Sequence, residues 1–398
     1  MSGTRPGTPV LDEDFLQDPH AFYAATRATA PVVLVRIPRL HLTAYLVTRY
    51  EDVRAVLVHP HVSKDASGAA TEPFTHHMLN RDPPAHTRLR AVVSSAFSAR
   101  RVDELRPMIA AVATAAADAL DADGEVDLVD GFAFPFALGV MRGVLGITEA
   151  EDPDFRRIAE VLFTEVSPNA RAEPAARMTE YLVRLVRAKR RSPGDDLLTK
   201  LIRACEVDGS ITTAELLSTV FLLLVAGHET TVSLIGNSVW ALLRHPDQLR
   251  LLREHPTWLP DAIEELLRHA GPANLGTLRH TTGDVDIAGT RIPAGSFVMA
   301  ALAAANRDPD RFPHAQDFDI RRRGARSLAF GHGVHHCLGA ALARAEAEVA
   351  LELLLSRFPR MGFARDPAGL RWRANTMIRG LVTLPVTLRP GPPATGNN

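Results

Sequence analysis

The longest uninterrupted helical pattern in the chain opens on a capping box, Thr212 to Glu215, and continues to about Arg244. At 1.5 Å per residue it spans roughly 50 Å, enough to cross a whole domain. Helical patterns dominate from Pro84 to Ala270, and another helix is expected over about Leu338 to Ser356. Asp18 and Pro19 read as the cap and first turn of a helix that Pro31 stops. Val32–Ile37 and Thr43–Thr48 read as short strands, and Tyr50–Val58 as a helix with Val53, Val56 and Leu57 on one side. Val285–Ile287 and Ile292–Met299 suggest a hairpin, and Leu370–Leu388 closing strands. His59 to Asn80 has no period and predicts a long loop, a kind of segment that often carries function.

A length of 398 residues gives a prior of about two to three domains. No linker or repeat divides the chain, so the expectation is one mainly α domain with small β-sheet regions over 1–398, with a flexible arm at 1–17 and a flexible tail at 390–398. A hydrophobic share of 46% and a charged share of 23% suit a large buried core and exclude disorder and fibrous repeats. Forty-five basic residues face forty-six acidic ones, so no global field draws nucleic acid or anionic lipid. Cys205 and Cys337 alone cannot supply a disulfide framework, a four-cysteine iron-sulfur cluster or a Cys-rich zinc site. A reducing, cytoplasmic setting is expected. The apolar run Gly131–Met141 is shorter than the ~20 residues a bilayer requires, so neither signal peptide nor membrane anchor is expected.

The segment Phe330–Gly339, FGHGVHHCLG, surrounds Cys337 with glycines and histidines directly before a helix. Free N–H groups and the helix dipole at that position favour a thiolate, which is a metal ligand. Gly331 and Gly333 permit tight bends, and Gly339, read as lying inside the helix, costs about 0.5 to 1 kcal/mol unless something flat approaches closely. Two plainer readings compete. Most free cysteines are small buried hydrophobes, and His332, His335, His336 and Cys337 could be read as a zinc cluster, although the usual paired spacing is missing.

Taken whole, the decapeptide resembles the haem-ligand signature of the cytochrome P-450 family, F-G-x-G-x-H-x-C-x-G, with every fixed position present. The resemblance implies that Cys337 is the axial thiolate of a non-covalently held haem b, that His335 contacts a propionate, and that Phe330 and Gly331 shape the ligand loop. Thiolate ligation favours O–O cleavage over oxygen carriage. AGHETT, Ala226 to Thr231, resembles the family's distal helix motif. By that resemblance Thr230 hydrogen-bonds the bound oxygen, Glu229 helps relay protons, and Ala226 and Gly227 leave room for oxygen and substrate. Read alone, a helical Thr often bonds back to a preceding carbonyl. Glu265-Leu-Leu-Arg268 resembles the family's buried, structural E-x-x-R pair, and Asn306–Pro309 its N-R-D-P segment. His86 and Arg90, spaced i,i+4 after Pro84, resemble its H-x-x-x-R propionate site, with Arg279 expected at a propionate too.

The landmarks fall in the family's order along nearly the whole chain. The resemblance therefore implies a single-domain cytochrome P-450 fold and a monooxygenase that hydroxylates or epoxidises a hydrophobic small molecule, such as a macrolide or polyketide, terpenoid or steroid, with O2. No dinucleotide-binding G-x-G-x-x-G opens a strand-to-helix turn here, so electrons are expected from a ferredoxin and a ferredoxin reductase. Arg321, Arg322, Arg323 and Arg326 are expected to offer that partner a basic face. Substrate is expected against loop residues 63–80, the helices around 155–190, Ala226, Thr230, residues 273–278 including Leu275, and a turn near Met377. A peroxide-driven peroxygenase and a non-catalytic haem-thiolate sensor remain as alternatives.

Overall fold

The computed structural model describes residues 7–65, 74–121, 124–148, 168–324 and 326–388, with side chains of 168–172 excepted. The central helix is Thr213–Arg244, and both arms of its capping box form. Glu215 N donates to Thr212 Oγ1 at 3.2 Å, and Thr212 N donates to Glu215 Oε2 at 2.8 Å. This helix is long and apolar enough to cross a membrane, unlike the shorter run singled out in the sequence. Yet 72% of its most apolar window is buried inside the protein, so its apolar faces are already spent on packing. It lies against helices Phe134–Leu145, Leu259–Ala270, Pro168–Arg191 and Ala340–Arg357, and the last of these packs on Ala99–Asp118. One large apolar core joins these helices.

A five-stranded sheet flanks them, in the order Val32–Ile37, Leu42–Val47, Phe297–Ala300, Arg279–Thr281, Val62–Ser63. The parallel rung Tyr45↔Val298 joins the beginning of the chain to its last third. The hairpin expectation is half right. Val285–Ile287 pairs with Thr290–Ile292, but Pro293 offers no N–H to continue the ladder and Gly295 turns at φ +78°. Residues 297–300 are thereby sent into the large sheet.

Residues 7–17 are not a loose arm. Leu11, Phe15 and Leu16 are buried, Leu11 N donates to Arg36 O at 2.9 Å, and Asp12 caps the short helix Glu13–Gln17. Residues 1–6 and 390–398 lie outside the described residues. Of the closing segment Leu370–Leu388, Pro385–Thr387 forms a strand, between Glu125–Asp127 and Gly362–Phe363. Gly339 is not interior to a helix either: it is the N-cap of Ala340–Arg357, so the helix starts three residues beyond Cys337.

Candidate active site

The segment before Cys337 turns twice through left-handed glycines, Gly331 at φ +71° and Gly333 at φ +76°, around the single turn Gly333–His335. A Cβ on Gly333 would lie 2.6 Å from Val58 Cγ1, so close packing and backbone sign both demand glycine there. Cys337 N donates to Phe330 O at 2.9 Å and closes the loop. The Arg344 guanidinium stands 4.6 Å over the Phe330 ring. Cys337 is solvent-accessible yet recessed, and burial pushes its thiol up, opposed by the Gly339 N–H and the charges of Arg90 and Arg344. Those three groups are the ones that favour a thiolate. Among the described residues no three His, Cys, Asp or Glu side chains gather as a metal cluster, so the zinc reading of the adjacent histidines fails.

Arg90 was expected beside His86 at a propionate. Its terminal nitrogens donate to Val334 O (3.2 Å) and His336 O (2.8 Å), so it also braces the cysteine loop. His86 and His335 do meet, with ring centroids 4.4 Å apart and edge to face. Both nitrogens of His86 and Nε2 of His335 are buried with no hydrogen-bond partner among the described residues. Burial, then Lys64, His86 and Arg279, push His335 down to about 2, and burial holds Arg279 down at about 10. Arg279 donates to Thr277 O at 2.9 Å. Lys64, which sequence reasoning did not single out, is buried near them. Burying this many donors without acceptors is costly, and a pair of carboxylates beside a cysteine loop is what would satisfy them. The chemistry of these residues therefore fits haem, a recessed cysteine beside buried nitrogen donors that call for carboxylates.

On the central helix Ala226 is exposed, midway along an otherwise buried stretch, and Thr230 is half-buried. The Thr230 hydroxyl donates back to Ala226 O at 2.7 Å, the bond a helical Thr makes by default. Glu229 is buried and accepts from Arg373 Nη1 at 2.8 Å, while its other oxygen is 3.9 Å from His228 Nε2. Gly227 does not open space for substrate: a Cβ there would lie 2.4 Å from Met141 Sδ, so this glycine serves helix packing. Thr231 Oγ1 donates to Glu346 Oε2 at 3.0 Å, joining the distal helix to the helix that follows Cys337. Burial pushes the Glu346 carboxyl up to about 8. Glu346 carried a readable signal, as an acid in the i,i+4 stripe Leu342, Glu346, Ala350, Leu354, all buried. Arg373 carried none, since its partner is 144 residues away.

Glu265 and Arg268 form a buried two-pronged pair, Nε to Oε2 at 2.6 Å and Nη2 to Oε1 at 2.7 Å. Arg268 also donates to the carbonyls of Asn306, Ala315 and Asp317, which ties down the segment leading to the cysteine. Arg322 approaches Glu265 Oε2 at 3.1 Å, so it belongs to this buried group. Arg321 pairs with Asp319 and Arg323 with Asp261. Three of the four arginines expected to form a basic face thus have acidic partners close by, while Arg326 is exposed.

Leu275 was expected on the substrate wall. It is 3% exposed and buried in the N-terminal cluster with Leu11, Phe15 and Tyr23. Met377 O accepts the N–H groups of Asn274 and Leu275, which joins the turn near Met377 to residues 273–278. Asn237 Nδ2, on the central helix, donates to Ala270 O and Arg379 O and fixes both against the distal region. Expected pocket residues 66–73 and 149–167 lie outside the described residues.

The family model described as Cytochrome P450 matches residues 153–360, just over half of the chain. Cytochrome P450 107B1 of Saccharopolyspora erythraea is 46% identical over 98% of this chain and 99% of its own length. The 6-deoxyerythronolide B hydroxylase of the same organism is 39% identical over 96% and 98%. Among solved structures, the tirandamycin C-bound P450 monooxygenase TamI superposes with a TM-score of 0.90 at 42% identity, covering 96% of this chain and all of that one. The cysteine loop, the donor cluster beside it and these likenesses lead to one statement: this chain belongs to the cytochrome P450 family and is a haem b monooxygenase.

Proposed function

We propose that this monooxygenase acts in the cytoplasm on a hydrophobic natural product of the macrolide or polyketide kind, hydroxylating or epoxidising it with electrons from a ferredoxin and its reductase. The observation that carries the catalytic part is the acid-alcohol pair Glu229 and Thr230 on the turn where Ala226 is exposed midway along a buried helix. The substrate class rests on the names of two relatives, one a hydroxylase of 6-deoxyerythronolide B and one solved with tirandamycin C.

Haem b bound through Cys337 supplies oxygen activation, with thiolate donation favouring O–O cleavage. The chain's own residues do the rest. Gly339 N–H, Arg90 and Arg344 favour negative charge on the Cys337 sulfur against the burial that opposes it. His86, Arg279 and His335 bind and orient the propionates, and Phe330 and Gly331 shape the loop beneath. Thr230 turns its hydroxyl away from Ala226 O to donate into the site, and Glu229, held by Arg373 beside His228, passes a proton to it. Ala226 and the turn at Met377 border the substrate. The Glu265–Arg268 pair, with Arg322, keeps the cysteine segment in place.

The test supplies NADPH, a ferredoxin and a reductase with a panel of macrolides and linear polyketides under 18O2. A product gaining one labelled atom is expected. Equal turnover by hydrogen peroxide alone would make it a peroxygenase, and spectral binding with no product from any compound would make it a sensor.

A further inference from the structure

Lys64 directly follows the two-residue strand Val62–Ser63, whose rungs are Val62↔Thr281 and Ser63↔His280. The same register carried on by one residue sets Lys64 across from Arg279. Like charges facing each other on adjacent strands repel, and both residues are only 5% exposed, so water screens neither. Lys64 Nζ has no hydrogen-bond partner among the described residues. Asp82 is the nearby acid, but its oxygens are engaged by the Ser63 hydroxyl and by Lys64 N at 3.2 Å, and it forms no ion pair with the Lys64 ammonium. The same space holds the orphaned nitrogens of His86 and His335, and burial together with Arg279 pushes the Lys64 ammonium well below its ordinary range, against the pull of Asp82. A buried ammonium facing a buried guanidinium is tolerated where an anion sits between them.

We propose that Lys64 is a haem-propionate residue, its ammonium taking a carboxylate of the cofactor between itself and Arg279. This rests on the reading that Cys337 binds haem. A carboxylate is the matching anion because buried cations and unpartnered ring nitrogens from several elements lie within electrostatic reach of one another here, and the cofactor assigned to this site carries two carboxylates.

The test compares holoenzyme of the wild type, Lys64→Met and Lys64→Arg. Lys64→Met keeps the length of the stem and removes the charge. Transfer of ferric haem to excess apomyoglobin is expected to be about tenfold or more faster for Lys64→Met, the loss of one charge-assisted bond, and within a few-fold of wild type for Lys64→Arg. The ferric/ferrous midpoint potential of Lys64→Met should move negative, because removing a positive charge near the cofactor disfavours electron uptake. If Lys64→Met yields no folded holoenzyme, the propionate bending band in resonance Raman spectra must still differ between wild type and Lys64→Arg. Unchanged haem transfer and potential in Lys64→Met, or an unmoved propionate band in Lys64→Arg, overturns the proposal. So does an effect confined to binding of carboxylate-bearing substrates. A wild type lacking the thiolate signature of its ferrous carbon monoxide complex would instead overturn the reading of Cys337, so the two failures are separable.

Discussion

Arg373 Nη1 donates to Glu229 Oε1 at 2.8 Å, so the proposed proton-relay residue of the distal helix is held by the closing segment of the chain. Glu229 is buried and Arg373 is partly open to solvent, which makes the guanidinium the exchangeable member of the pair. Removing it strands a buried carboxylate. Arg373→Ala is expected to cost about 1 to 3 kcal/mol and to lower coupled product formation. Glu229→Gln in the same background should recover most of the stability and none of the turnover, as read by a double-mutant cycle in urea. Additive stabilities would mean that the pair is not coupled.

Glu346 gives a pH prediction with a definite sign. Burial raises its carboxyl from 4.5 to about 8 in the folded protein. Between those values the folded state keeps a proton that the unfolded chain releases, so this stabilisation is complete below pH 4.5 and is lost as pH rises through about 8. The slope cannot exceed about 1.4 kcal/mol per pH unit. Glu346→Gln does not titrate, so the stability of wild type minus that of the variant should fall steadily from pH 5 to 8 in urea melts. A difference that stays flat with pH would show that this carboxyl does not hold its proton.

Arg322 separates structure from docking. Because it faces Glu265 in the buried group that contains Arg268, Arg322→Ala should lower the melting temperature, whereas Arg321→Ala, which loses only an exposed pair with Asp319, should cost no more than about 1 kcal/mol. Neither change should alter the ionic-strength dependence of reduction by ferredoxin. A shallower salt dependence in Arg321→Ala would restore the docking role.

Gly333→Ala combines an unfavourable φ with a Cβ 2.6 Å from Val58 Cγ1. It is expected to destabilise the holoenzyme by about 1 to 3 kcal/mol and to diminish the thiolate-ligated fraction in the ferrous carbon monoxide spectrum. Val58→Ala should relieve the contact and return part of that fraction, while the strain of φ remains. No recovery would place the whole effect in the backbone.

The helical frame was legible because its signals are local: the capping box at Thr212, the period of Tyr50–Val58 and the proline stop at Pro31 each lie within one element. The cysteine loop was legible for the same reason, since Gly331, Gly333 and Cys337 are close in sequence and do their work together. What escaped was long-range or depended on which side of a residue is packed. Arg90 and His86 share a helix, yet one braces carbonyls and the other stays unpartnered. Leu275 is two residues from half-exposed Thr277 but points into a separate apolar cluster. Arg322 sits among charged neighbours whose composition suggests solvent, and only the arrival of Glu265 from the helix Leu259–Ala270 makes it structural.

The rung between Tyr45 and Val298 constrains how the polypeptide is made. During synthesis, Val32–Val47 emerges early and pairs with itself, but its other edge has no partner until some 250 further residues have left the ribosome. The nascent hairpin therefore exposes an unpaired edge for most of translation, the condition under which chains seek chaperones or associate wrongly. Completion of this sheet, and with it the strand that bears Arg279, is a late event in the chain's synthesis.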